Sequence, residues 1–240
     1  ILNSILNTNI DIGLLAILTN FGSLIAIIFL YRDRIKSLFL DFVSYLKNGN
    51  ASSKENFRYT ILLIIATIPA GVMGLVVTKL GLFDFLEENI KFVGITLLIT
   101  AFFLFLIRNI KGEKDNKKIT LKDSIIIGLF QVIALVPGIS RSGSTIVGGM
   151  LRNLKRETAF DFSFLLYIPI SVATTILGFK DLFTSNLSFV TVMYYLIATV
   201  IAGIVTYFAT KWFRNVVKEG KLIYFVIYCL IVGSLVIIFL

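Results

Sequence analysis

Six stretches of this chain approach or reach the length of a bilayer crossing, and nothing constrains its fold more. They are Asp11 to Tyr31, Thr60 to Thr78, Phe92 to Ile107, Ala159 to Phe179, Ser188 to Thr210 and Leu222 to Leu240. A spanning helix needs roughly 20 predominantly apolar residues. Inside hydrocarbon each backbone N–H and C=O has to find its partner within the protein, and a helix satisfies that need locally. Composition agrees, with 57% hydrophobic residues, 15% charged and a mean hydropathy of +0.92. The expected architecture is an all-α polytopic membrane protein, one integral membrane domain over residues 1–240.

One apolar region breaks the pattern. Ser124 to Val136 (SIIIGLFQVIALV) is 13 residues long and Ile146 to Leu151 (IVGGML) is 6, with Pro137-Gly-Ile-Ser-Arg-Ser-Gly-Ser-Thr145 between them. Neither piece can span. Two short helices meeting at a polar turn fit the pattern, and irregular backbone at membrane depth is tolerated only in protein or beside a wet cavity. The expectation is therefore a re-entrant helix-turn-helix over residues 123–151.

The chemistry of that turn follows from its residue types. Gly138 and Gly143 let the backbone approach a ligand closely. Pro137 closes the first half-helix, and Ser142, Ser144 or Thr145 caps the second. A helix N-terminus offers unsatisfied N–H groups and a positive dipole end, both suited to an anion. Arg141 adds a planar fork of donors matched to phosphate, and an ionisable residue within a membrane segment marks a functional site. The competing reading has Arg141 tie down orphan carbonyls of the first half-helix while the serines only cap.

Charge then orders the loops. Arg32 to Arg58 and Arg108 to Lys122 each hold six basic residues, whereas Lys79 to Lys91 carries Asp84, Glu87 and Glu88. A single crossing by 123–151 would put its two basic flanks on opposite faces. A dip and return leaves every basic loop cytoplasmic and the acidic one outside, as the positive-inside rule requires. This gives six spans plus one re-entrant pair, with Ile1 outside. The same rule accounts for the net charge of +9, so nucleic-acid binding is not expected. Cys229 is alone in an apolar run and reads as a small core residue.

Within the spans, Asn20 is expected to hydrogen-bond a neighbouring helix. Ile35, Leu38, Phe39, Phe42, Val43 and Leu46 recur at helical spacing and describe an amphipathic helix, followed by an exposed turn at Asn48 to Glu55. Pro69 is expected to kink its span, and Trp212 to anchor another at the interface. Asp161 is either a catalytic or metal-binding carboxylate or, more simply, a charge near a helix N-terminus.

The stretch GLFQVIALVPGISRSGST from Gly128 to Thr145, followed by FDFSFLLYIP from Phe160 to Pro169, closely resembles undecaprenyl-pyrophosphate phosphatases of the bacitracin-resistance type. The similarity runs from about Gly13 to the C-terminus and includes Asn20-Phe-Gly-Ser-Leu-Ile-Ala. The resemblance implies an integral membrane hydrolase that takes the terminal phosphate from C55 isoprenyl pyrophosphate and regenerates the lipid carrier of peptidoglycan synthesis. It also implies two inverted halves, each with a re-entrant loop, and a divalent cation, Mg2+ or Ca2+. Arg141, Ser140 and Thr145 are the candidate catalytic residues. Arg141, Ser142, Gly143, Ser144 and Gly138 are the candidate phosphate cradle, with Gln131, Pro137 and Ser163 in support.

The family's other motif, a glutamate-rich turn ending Ser-Ser-Thr-Gly-His, has no counterpart in these residues, and the sequence contains no histidine. The expectation drawn is a chain starting inside a longer protein, with the second re-entrant pair and the metal ligands upstream, and little phosphate release from these 240 residues alone. The implied partners are an isoprenyl pyrophosphate and membrane lipid, with a homodimer left open. A transporter or flippase for an anionic lipid phosphate is the alternative, since broken helices facing a midplane anion also build secondary transporters.

Overall fold

A computed structural model describes residues 11–81, 90–184 and 187–239. Nine α-helices occupy them: α1 (Ile12–Leu30), α2 (Arg32–Asn48), α3 (Lys54–Lys79), α4 (Ile90–Ile107), α5 (Leu121–Ile133), α6 (Arg141–Leu151), α7 (Arg156–Thr184), α8 (Phe189–Lys218) and α9 (Ile223–Phe239). No strand occurs among the described residues, only an isolated bridge between Lys114 and Leu154. Five segments are long and apolar enough to cross a membrane: Gly13–Leu30, Ala51–Lys79, Ile90–Ile107, Arg156–Phe179 and Phe189–Lys218. The sixth expected span is α9, apolar and 17 residues long. The protein is an all-α polytopic membrane protein. The acidic cluster Asp84, Glu87 and Glu88 lies outside the described residues.

The chain divides into two compact units. One consists of Arg34–Leu166 and Phe213–Leu240, and it contains the broken segment. There α5 and α6 pack on each other, α5 lies along α3, and α6 and α9 both lie along α4. Small residues make these approaches close. A side-chain carbon on Gly94 would stand 2.9 Å from the carbonyl of Gly233, and one on Gly233 the same distance from the carbonyl of Gly94. A carbon on Gly128 would stand 2.7 Å from the Ala66 carbonyl, so α5 seats its backbone directly on α3. Without a hydrophobic force between helices in lipid, such contact is what holds spans together. Phe160, Phe162, Ile127, Ile146, Met150 and Leu166 are fully buried and fill the middle of this unit.

The other unit comprises the described residues of Ile1–Asp33 and Tyr167–Trp212. Its helices meet through Gly22, whose Cα faces the backbone of Thr199, and through Gly178 beside Ile17. Asn20 accepts a hydrogen bond from the Tyr167 hydroxyl at 2.5 Å, the interhelical contact expected of an asparagine at that depth. Back in the unit that holds the broken segment, Leu38 of α2 is buried while Phe39 and Leu46 are exposed, so the apolar stripe of α2 is only partly covered by protein. Within the turn that follows α2, Ser53 is buried and donates to Asp41 at 3.0 Å, a correction to the fully exposed turn expected there.

Candidate functional site

The broken segment is a hairpin of two short helices, not one rod. At 1.5 Å per residue, the 13 residues of α5 and the 11 of α6 reach about 20 and 16 Å, against roughly 30 Å of hydrocarbon. Its open end is tied by Asp123, which is wholly buried. The carboxylate accepts from Lys114 Nζ at 2.9 Å and from Arg152 Nε at 2.8 Å, so the start of α5 and the end of α6 are fastened together. It also accepts from the Thr120 N–H at 2.9 Å, closing a capping box that starts α5. Burial pushes the Asp123 carboxyl upward, but the bonds from Lys114, Thr120 and Arg152 outweigh it and hold the group below its ordinary range.

At the closed end the helices start and stop elsewhere than the apolar runs suggest. α5 ends at Ile133, so Pro137 stands in irregular backbone rather than at a helix terminus. α6 begins at Arg141, so Arg141 to Thr145 form its first turn. The cap is Ser140, whose hydroxyl accepts from the Gly143 N–H at 3.1 Å, and not Ser142, Ser144 or Thr145. Serine wins because its extended backbone (φ −65°, ψ 115°) leaves the hydroxyl facing back over the first turn. Gly138 has φ +86°, a conformation open mainly to glycine. A side chain there would also run into Thr96 Oγ1.

Two threonines of α4 hold the turn from the side. Thr96 donates to the Pro137 carbonyl at 2.8 Å, and the Ser140 N–H donates to Thr100 Oγ1 at 3.2 Å. Both threonines are buried. Sequence reasoning passed over them, although a Thr-x-x-x-Thr pair on one face of an otherwise apolar span is a legible signal for a polar contact inside the protein.

Arg141 is half-buried at the first position of α6. One of its terminal nitrogens donates to Gln131 Oε1 at 2.8 Å and to the Leu166 carbonyl at 3.2 Å. A cation is poorly placed at a helix N-terminus, where the dipole is already positive. Here both positive features occupy one spot, which suits an anion bound between them. Gln131 is 2% exposed, and its Nε2 has no hydrogen-bond partner among the described residues. A buried amide left unsatisfied costs free energy and wants an acceptor.

The remaining candidates divide. Ser142 is half-buried on the first turn beside Arg141, and Gly143 and Ser144 are buried behind it. Thr145 is turned inward: its hydroxyl meets the carbonyls of Arg141 and Ser142 at 3.1 and 3.2 Å and the Ser163 hydroxyl at 2.5 Å. Thr145 and Ser163 thus join α6 to α7. Asp161 pairs with Arg214 at 3.0 Å; it lies beyond the first turn of α7, where the acid is Glu157. Among the described residues no group of three or more His, Cys, Asp or Glu side chains is placed to hold a metal ion.

What these elements define is a class: a multi-pass α-helical membrane protein whose sheltered hairpin presents a helix N-terminus beside an arginine. The chain belongs to the family described as bacitracin resistance protein BacA, whose profile matches residues 1–235, and it is a multi-pass bacterial membrane protein. It is 46% identical over 239 residues to undecaprenyl-diphosphatase 1 of Bacillus licheniformis, covering 98% of this chain and 86% of that one. It is 44% identical over 228 residues to undecaprenyl-diphosphatase 2 of Bacillus thuringiensis, covering 93% and 82%. A third relative, undecaprenyl-diphosphatase of Oceanobacillus iheyensis, is 42% identical over 225 residues, with 93% and 82% covered.

Proposed function

We propose that this protein is an undecaprenyl-diphosphatase, hydrolysing C55 isoprenyl pyrophosphate to the monophosphate that carries cell-wall precursors. The observation that carries the reading is Arg141 at the start of α6, 2.8 Å from a buried Gln131 whose amide nitrogen has no partner among the described residues. The hairpin is read as re-entrant, because helices too short to span and fastened end to end by Asp123 return to the face they left. The isoprenyl tail stays in hydrocarbon, and its diphosphate enters at the turn.

There the N–H groups of α6, the Arg141 fork and the Gln131 amide converge on phosphate oxygens. In phosphoryl transfer, charge spreads over the equatorial oxygens of the moving group, and catalysis is mostly positioning and charge stabilisation. Arg141 and the α6 terminus supply that stabilisation, while Ser140 keeps its hydroxyl on the cap and sets where the first turn begins. Thr96, Thr100 and Ser163 act as positioning residues that keep the turn in place. The divalent cation implied by the resemblance remains part of the proposal, with no step assigned to it. Chelation is expected to stop phosphate release, and added Mg2+ or Ca2+ to restore it.

The test measures phosphate released from a long-chain isoprenyl pyrophosphate in detergent, beside binding of a non-hydrolysable diphosphate analogue. Arg141→Ala is expected to lower release by at least about a hundredfold, the scale for losing one oxyanion donor, and to weaken analogue binding. Arg141→Lys keeps the charge without the fork and is expected to lose roughly tenfold. Release within a few-fold of the parent, or lipid movement in proteoliposomes with no phosphate released, overturns the assignment.

A further inference from the structure

In the unit formed by Ile1–Asp33 and Tyr167–Trp212, α1 and α8 enclose a groove of about 520 Å³ with an almost wholly apolar lining. Its floor is made of small residues, Gly22 and Ala26 on α1 and Thr199 and Gly203 on α8. A side-chain carbon on Gly203 would stand 3.0 Å from the Gly22 carbonyl, so the two backbones nearly touch and the larger side chains stand apart as walls. The groove ends at two aromatic rings, Phe29 and Tyr207, with centroids 6.0 Å apart. Each ring carries a cation. The Arg32 guanidinium lies 4.7 Å from the Phe29 centroid, and Lys211 Nζ lies 4.4 Å from that of Tyr207.

The arrangement is ordered along the helices: an apolar trough, then two rings, then two positive groups exposed to water. Its depth is marked by Trp212, next to Lys211 and 58% exposed, since an exposed tryptophan at a span's end sits at headgroup level. The carboxylate paired with Arg32, Asp33, is itself largely exposed, with Oδ1 3.8 Å from Arg32 Nε. An exposed pair at that distance holds Arg32 only weakly. From Gly22 to Phe29 the floor is about 10 Å long, room for the upper part of one chain and not for a buried C55 tail.

We infer that this groove is a binding site for an anionic glycerophospholipid of the bilayer, one acyl chain lying over Gly22 and Gly203 and the phosphate between Arg32 and Lys211. Basic pockets between spans on the positively charged side of a membrane protein recognise acidic headgroups in this way. The site belongs to a different compact unit from Arg141 and shares no residue with the turn.

Trp212 is the protein's one tryptophan, so its fluorescence reports this place alone. The purified protein is reconstituted in vesicles containing brominated phosphatidylglycerol or, at equal mole fraction, brominated phosphatidylcholine. Quenching is expected to favour phosphatidylglycerol, with an apparent affinity ratio of roughly fivefold or more for each cation engaged. Arg32→Gln and Lys211→Gln each lower the ratio and together bring it to about one, with helical circular dichroism and the thermal unfolding temperature unchanged as evidence of folding. Equal quenching by both lipids overturns the inference, as does a preference that survives the double substitution. So does displacement of phosphatidylglycerol by an isoprenyl monophosphate at far lower concentration, or a Trp212 shielded from both lipids because a second chain covers it.

Discussion

The α5–α6 hairpin and α8 are both rich in β-branched residues, yet they are used in opposite senses. The polar, serine-rich start of α6 is sheltered, with Gly143 through Met150 buried. The apolar length of α8 is open, and Val200, Ile204, Val205 and Phe208 are all more than half exposed. In a soluble protein the pattern would be inverted. Lipid solvates apolar side chains as well as protein does, so burial here follows the need to shelter irregular backbone and an ion. Substitutions should therefore hurt most where the hairpin is polar and least where α8 is apolar, the reverse of a soluble core.

Beyond the loss of phosphate release at Arg141, the largest effect on stability is expected at Asp123. Asp123→Asn leaves Lys114 and Arg152 without their shared carboxylate and should cost about 3 kcal/mol, read as a fall in thermal unfolding temperature in detergent. The same group gives a pH dependence. Because the folded carboxyl is held below its ordinary range, its contribution is complete above that range. It is lost as pH falls through the lowered value. A parent that unfolds in acid along the same curve as Asp123→Asn would show the tie to be idle.

Gly138→Ala comes next. It forces a side chain into φ +86° and against Thr96, and is expected to cost about 2 kcal/mol and to reduce phosphate release by displacing Arg141. Thr96→Val removes the donor to the Pro137 carbonyl and should cost about 1 kcal/mol, with rescue by Ser but not by Ala. At the small end, Val205→Leu on the lipid-facing side of α8 is expected to change stability by less than about 0.5 kcal/mol. If Val205→Leu proves as costly as Gly138→Ala, α8 is covered by protein and the contrast between the two regions fails.

Much of this was legible before any coordinates. Runs of apolar residues located the spans, although α3 begins at Lys54 rather than Thr60 and α8 runs on to Lys218 rather than Thr210, and the two short runs around Pro137 foretold a hairpin. The charge asymmetry of the loops is the ground for expecting the hairpin to return to the face it left. Where the reading slipped, local competition was the cause. Ser140, Ser142, Ser144 and Thr145 are all competent caps, and only the backbone of the assembled turn decides among them. Gly138 and the anchoring Thr96 and Thr100 came together across about 40 residues of chain, a proximity that composition does not encode. Nothing in the sequence singled out Asp123; that Lys114 and Arg152 both reach it depends on the hairpin already being closed.

The sequence by itself determined that this chain lives in a membrane, where its helices lie, and that one arginine sits in a segment too short to cross. Those facts follow from transfer free energies and chain length, which are properties of each stretch alone. Only the tertiary structure decided where α6 begins, which hydroxyl caps it, and that Gln131 is buried against Arg141 with an amide nitrogen to spare. These depend on which side chains first reach an unsatisfied backbone group, and that is settled by neighbours distant in the chain.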